Sequence, residues 1–131
     1  MILLDSIEHW DQGKIICRAH SHLDPANPLR RQGRLPAICA LEYALQAAAL
    51  HGALRADGVA RPAGYIASLR DVHLATPTLD DPAHGTLRIH AQLEAEEQFG
   101  MIYALTISTD AGTPLVTARA SIALPRPSDT R

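Results

Sequence analysis

Between Pro36 and Leu50 the chain is filled with Ala and Leu, and only Glu42 and Gln46 are strongly polar. Pro36 suits a first helical turn and Gly52 a C-cap, so the pattern predicts a helix over 35–52. Glu42 and Gln46 are four apart and share a face, one turn from each other. Ile38, Leu41, Leu45 and Ala49 lie on that same face, which makes it the predicted core stripe. A helix apolar nearly all round is normally buried on several sides. A carboxylate in its core stripe must find hydrogen bonds or titrate above its usual range.

Elsewhere the period is that of strands. Over 13–22, Ile15, Cys17 and Ala19 alternate with Ile16, Arg18 and His20. Over 86–96, Leu87, Ile89, Ala91, Leu93 and Ala95 face one way and Arg88, His90, Gln92, Glu94 and Glu96 the other, as in a sheet wet on one side. Further strands are predicted at 64–75, 101–109 and 115–124. The run Asp24-Pro-Ala-Asn-Pro28 stops the first strand, and a basic loop ending at Arg34 leads into the helix. Residues 1–12 read as a short helical or irregular lead-in. A loop with Asp57-Gly58 and Arg61-Pro62 follows the helix, and 125–131 reads as a frayed tail. Strand, long helix, then successive strands joined by short turns describe one α+β domain over 1–131, an antiparallel sheet wrapped around one helix.

Composition narrows the function. The 131 residues are 47% hydrophobic and 20% charged with net charge −2, which gives no bulk attraction to nucleic acid or to a membrane surface. One Phe, one Trp and three Tyr are too few for a base-stacking platform. Cys17 and Cys39 lack metal-type spacing and read as small core residues in a reducing compartment. The N-terminus has no basic segment before an apolar run, and the helix is shorter than a bilayer span of roughly 20 residues. A soluble, cytoplasmic protein is expected. Serine-hydrolase elbows, phosphate loops and dinucleotide fingerprints are missing from the sequence.

Strand, buried helix and wrapping sheet are the plan of the hot-dog fold, and the residues around the helix resemble the FabA/FabZ-type 3-hydroxyacyl-[acyl-carrier-protein] dehydratases. That family has a histidine–proline turn, a Pro at the helix start, and an acidic residue six positions later with Ala and Gln following. Here His22-Leu-Asp-Pro25, Pro36 to Glu42, and Tyr43-Ala-Leu-Gln46 stand in those places. The run from Ser21 to Arg30, followed by Leu35-Pro-Ala37 and Glu42-Tyr-Ala44, looks most like the dehydratases of aryl-polyene and related pigment clusters. The sequence departs from the family in a longer His-to-Glu segment, in Ala37 where the family has Gly, and in Leu23 and Asp24 inside the turn.

The resemblance implies dehydration of a 3-hydroxyacyl thioester held on an acyl carrier protein, with no cofactor and no metal. His22 would be the base and Glu42 the acid. Backbone N–H groups at Ala37 would hold the thioester oxygen, and Gln46 would brace Glu42. It also implies a homodimer, or a heterodimer with a related dehydratase, in which His and acid come from opposite subunits. Arg30, Arg31 and Arg34 would contact the phosphopantetheine phosphate or the acidic carrier surface. His20 is the competing base, since a strand register two residues before His22 would point it the same way. A metal reading takes His20, His22 and Glu42 as ligands with His51 in reserve. The other functional readings are a hot-dog thioesterase and a degenerate subunit that supports an active dehydratase.

Overall fold

The computed structural model describes residues 2–56 and 65–124; the predicted 57–58 and 61–62 turns and the 125–131 tail lie outside them. Six strands form one antiparallel sheet: β1 (Ser6–Trp10), β2 (Lys14–Ala19), β3 (Tyr65–Leu74), β4 (Leu87–Glu97), β5 (Gly100–Ser108) and β6 (Pro114–Ala123). Their spatial order is β1-β2-β4-β5-β6-β3. A 3₁₀ turn at Ala37–Cys39 runs into the single long helix, α1 (Ala40–Arg55).

The strand pattern was legible. Ile15, Cys17 and Ala19 of β2 are buried, as are Leu87, Ile89 and Ala91 of β4, while β5 alternates strictly. The opposite face carries ion pairs between strands, with Glu8 bound by both Arg18 and Arg88, and Arg119 by Glu94. The strand predicted over 13–22 ends at Ala19, and two further boundaries differ from the predicted ones. Residues 6–10 form β1 and not a helical lead-in, because β2 has a free edge that their backbone satisfies, Ser6 opposite Arg18 and Trp10 opposite Ile15 with a register shift between Ile7 and His9. The helix passes through Gly52 to Arg55, so Gly52 is not its cap. The helical run Ala37–Arg55, 19 residues, is long and apolar enough by composition to cross a membrane, contrary to expectation. Here one of its faces is packed on the sheet.

That packed face is Ala40, Tyr43, Ala44, Ala47, Ala48 and His51. The alanines let the sheet approach closely, and the two large side chains reach outward to fix the ends of the helix. Fully buried His51 sets Nε2 2.7 Å from the Asp11 carbonyl at the β1–β2 turn and Nδ1 2.7 Å from the Tyr103 hydroxyl. A carbonyl only accepts, so Nε2 carries a proton. Burial pushes the Cys17 thiol up to about 11, in keeping with a small core residue.

Tyr43 fixes the other end. The Ser21 hydroxyl donates to the Leu3 carbonyl at 2.8 Å, so the Tyr43 hydroxyl, 2.8 Å away, donates to Ser21 Oγ and accepts from Asn27 Nδ2 at 3.2 Å. Helix, N-terminal segment and the loop after β2 therefore meet at one buried phenol. Tyr43→Phe leaves the Ser21 and Asn27 groups short of a partner. It is expected to lower the unfolding free energy by about 1–3 kcal/mol in urea titrations, without loss of the helix signal in circular dichroism.

Candidate functional site

The loop between β2 and the helix carries most of the predicted site, and it is built from side-chain hydrogen bonds, not from secondary structure. The strand ends at Ala19, and Ser21–Leu23 forms a 3₁₀ turn. That turn separates the two histidines, which strand register had placed on one face. His20 is exposed, its Nδ1 2.6 Å from Asp5 Oδ2, and the same carboxylate oxygen accepts its backbone N–H at 2.7 Å. His22 turns inward and is wholly buried, at 0% exposure.

Neither His22 ring nitrogen meets hydrogen-bond geometry with any described atom. Burial depresses its pKa below the ordinary value of 6.5; the Gly85 backbone lies close enough to pull the other way, and His84, His20 and Arg30 add repulsion. Burial therefore favours the neutral imidazole, the form that can accept a proton.

Glu42 is not in the core. It is exposed, as are Ile38 and Ala49, and Leu45 and Gln46 are half-buried. Leu41 alone of the predicted stripe is buried, at 7% exposure. The sheet takes the alanine–tyrosine face, so the face bearing Glu42 is left uncovered in the lone protomer. An all-round apolar helix carries no signal of which face a single sheet will choose.

The helix start differs in detail as well. Ala37 N–H, the predicted oxyanion donor, is committed to the Pro77 carbonyl at 3.1 Å, and Cys39 N–H to the Pro36 carbonyl at 3.0 Å. The Ile38 N–H between them is the donor at this end that remains uncommitted among the described residues. Gln46, expected to brace Glu42, accepts the Leu3 N–H on Oε1 at 2.9 Å. Arg31 and Arg34 are exposed, whereas Arg30 is largely enclosed. The donors of the metal reading do not converge: His20 binds Asp5, His51 binds Tyr103, and among the described residues no three His, Cys, Asp or Glu side chains are grouped to hold an ion. Sequence reasoning overlooked Tyr43, Asn27 and Asp80, which hold this loop; no spacing announces them, since their partners are distant in the chain.

A six-stranded antiparallel sheet cradling one long helix, with a histidine loop packed at the helix start, is the hot-dog fold. The sequence matches the ApeP-like family, described as ApeP dehydratase, over residues 1–131, and the chain belongs to that family. Among solved structures it is similar to the dehydratase heterocomplex ApeI:P from Xenorhabdus doucetiae, with TM-score 0.81, 22% identity, and coverage of 98% of this chain and 86% of that one. A thioesterase from Pseudomonas aeruginosa aligns with TM-score 0.66 and 15% identity over 92% of this chain and 81% of its own. A protein from Streptococcus mutans bound to acetyl CoA gives 0.67 and 11% over 92% and 87%. At these identities the structures share the fold. No curated protein matches the sequence.

The His22 environment has a measurable consequence. Its native pKa lies below that of an unfolded-chain histidine, so the unfolded state takes up more protons between the depressed value and 6.5. Stability is therefore full above that window and falls as pH drops through it. His22→Leu is expected to leave stability at pH 7 unchanged or raised by up to about 1 kcal/mol, because an unsatisfied polar group is removed. It should also flatten the acid-side decline in chemical-denaturation curves. His90, whose pKa burial also lowers, retains part of the slope.

Proposed function

We propose that this dehydratase converts a 3-hydroxyacyl thioester, carried on the phosphopantetheine of an acyl carrier protein, to the trans-2-enoyl thioester. A polyene or related pigment pathway is the setting suggested by the sequence resemblance. The observation that carries the reading is His22: neutral by burial, unpartnered, and set in the loop that leads to the helix start. In the reaction His22 takes the Cα proton, Glu42 protonates the departing hydroxyl as water leaves, and a helix-start N–H holds the thioester oxygen as charge develops. The thioester itself acidifies the Cα proton, so the steps call for no cofactor.

The uncovered Glu42 face supports a second chain in the working enzyme. Ile38 is 49% exposed, and Ile66, Leu69, Val72 and Leu74 of edge strand β3 are 48%, 39%, 37% and 49% exposed. A long apolar edge is a pairing surface. The ApeI:P structure is described as a dehydratase heterocomplex. We take this chain to pair in a similar way, with a related dehydratase or with itself, so that one subunit's His22 works with the other's Glu42. Arg31 and Arg34 are the exposed guanidinium groups available to a carrier-protein phosphate.

Each of His22→Ala and Glu42→Gln should reduce dehydration of a 3-hydroxyacyl carrier protein by about 10²–10⁴-fold with the fold retained. If the chain pairs with itself, mixing the two variants should restore up to about a quarter of wild-type activity. Half of randomly formed dimers are mixed, and each mixed dimer has one intact site of two. Full activity in both single variants sinks the assignment, free thiol release would point to a thioesterase, and activity with a partner dehydratase that survives loss of both His22 and Glu42 from this chain to a supporting subunit.

One observation favours a second choice of base. Asp5 orients the His20 ring through Nδ1 and leaves Nε2 outward, the usual setting of a proton acceptor. Loss of activity in His20→Ala with His22→Ala unaffected would transfer the role.

A further inference from the structure

The three arginines before the helix do not form one patch. Gln32 and Gly33 both have positive φ, 52° and 77°, and the Arg31 and Arg34 backbones bond reciprocally at 2.7 and 3.0 Å. This is a two-residue primed turn, and it holds Arg31 and Arg34 out in solvent. Arg30, just before it, points inward with its side chain 15% exposed.

The Arg30 guanidinium makes four directed bonds. Nε donates to the Asp24 carbonyl at 2.9 Å, Nη2 to the His22 carbonyl at 3.0 Å, and Nη1 to both the Gly33 carbonyl at 2.9 Å and Asp80 Oδ2 at 3.1 Å. Asp80, 9% exposed, comes from the far side of the chain and also takes Arg34 Nε at 3.3 Å. The segment it belongs to is itself stitched to the helix start, through Leu79 N–H to the Leu35 carbonyl and Ala37 N–H to Pro77. One planar cation thus satisfies inward-facing carbonyls at both ends of the 22–33 loop and ties them to a fixed element. A lysine ammonium has three donors and no fork, so it cannot span these acceptors.

We propose that Arg30, anchored by Asp80, is a positioning residue for His22: it locks the loop so that the imidazole stays enclosed and aimed at the site, and it does not contact the carrier protein. The inference rests on the reading of His22 as the base. Remove the guanidinium and the His22 and Gly33 carbonyls lose the donor described for them, the Asp24 carbonyl keeps the Asn27 N–H alone, the loop loosens, and the ring gains water. The groups facing the ring are His20, His84, Arg30 and the Gly85 backbone, with Asp80 behind Arg30. Loss of the Arg30 charge and gain of water both favour the protonated ring, so a loosened loop is read directly by the titration of His22.

The test uses the full chain, with Arg30→Met, Arg30→Lys and Asp80→Asn, and Arg31→Ala as a surface control. The His22 Cε1–H resonance, assigned by its loss in His22→Gln, is titrated by NMR. Dehydration kinetics of a 3-hydroxyacyl carrier protein are followed across pH in the assembled enzyme. Arg30→Met should raise the His22 midpoint by about one unit toward that of an ordinary histidine and move the acid limb of kcat the same way. It should lower kcat at neutral pH by about ten- to a hundredfold with KM for the carrier protein nearly unchanged. Arg30→Lys, which keeps the charge and removes the fork, should still raise the His22 midpoint and fail to rescue kcat; Asp80→Asn removes an anion, which by charge alone lowers the midpoint, so its readout is a lowered kcat with KM nearly unchanged.

An unchanged His22 titration with a raised KM for the carrier protein overturns the proposal and returns Arg30 to a contact role. Should Arg30→Met not fold, an unmoved His22 in Arg30→Lys, where the charge is kept and only the fork is lost, overturns it equally. The NMR titration needs no turnover. A wild-type chain without dehydratase activity but with a His22 that moves on loss of Arg30 would therefore refute the base reading and leave the loop lock standing.

Discussion

One helix that is apolar on every side meets one sheet, and a sheet can cover only one side of it. The sheet takes the face lined by Ala40, Ala44, Ala47 and Ala48, where small side chains allow close approach, with Tyr43 and His51 filling the two ends. What remains is a strip from Ile38 through Glu42 to Ala49 without sheet cover, and the edge strand β3 also has large apolar side chains bare. The unfinished burial and the exposed acid are the same fact seen twice. A helix face left without sheet cover is open to a second chain.

The second constraint is the loop from Ser21 to Arg34. It has little regular structure, yet it lies over buried surface, so its backbone groups need donors and acceptors from elsewhere. Tyr43, Asn27 and Ser21 satisfy it at the helix, Arg30 and Asp80 at the far end. Against this dense bonding the two bare nitrogens of His22 stand out. His22 is the residue with both ring nitrogens in that position; Arg55 Nε, Asp80 Oδ1, Arg88 Nε and His90 Nε2 are single buried atoms without a partner among the described residues.

Much of the architecture was legible from alternation alone. Four of the five strands predicted after residue 12 fall within a residue or two of their observed bounds, since period-two burial is a local property. The strand holding His20 and His22 ran too long, because the 3₁₀ turn at Ser21–Leu23 is held by Tyr43 and Leu3, partners far along the chain. β1 was missed for a similar reason: its residues lack alternation and become a strand by pairing with the free edge of β2. Glu42 was singled out for burial that it does not have.

The sequence by itself determined the helix, the strands β2 to β6 and the α+β class, because these depend on spacing within a few turns or one strand. Tertiary structure alone decided which face of the helix meets the sheet, that His20 turns out to Asp5 while His22 turns in, that Ala37 N–H is spent on Pro77, and that Arg30 is a brace and not part of an open basic patch. Each of those outcomes is fixed by a partner roughly fifteen to fifty residues away, and no local pattern encodes where such partners arrive. The stretch from Pro36 to Leu50 reads the same on all sides; only the sheet, by choosing one, made the carboxylate on the other available to a partner.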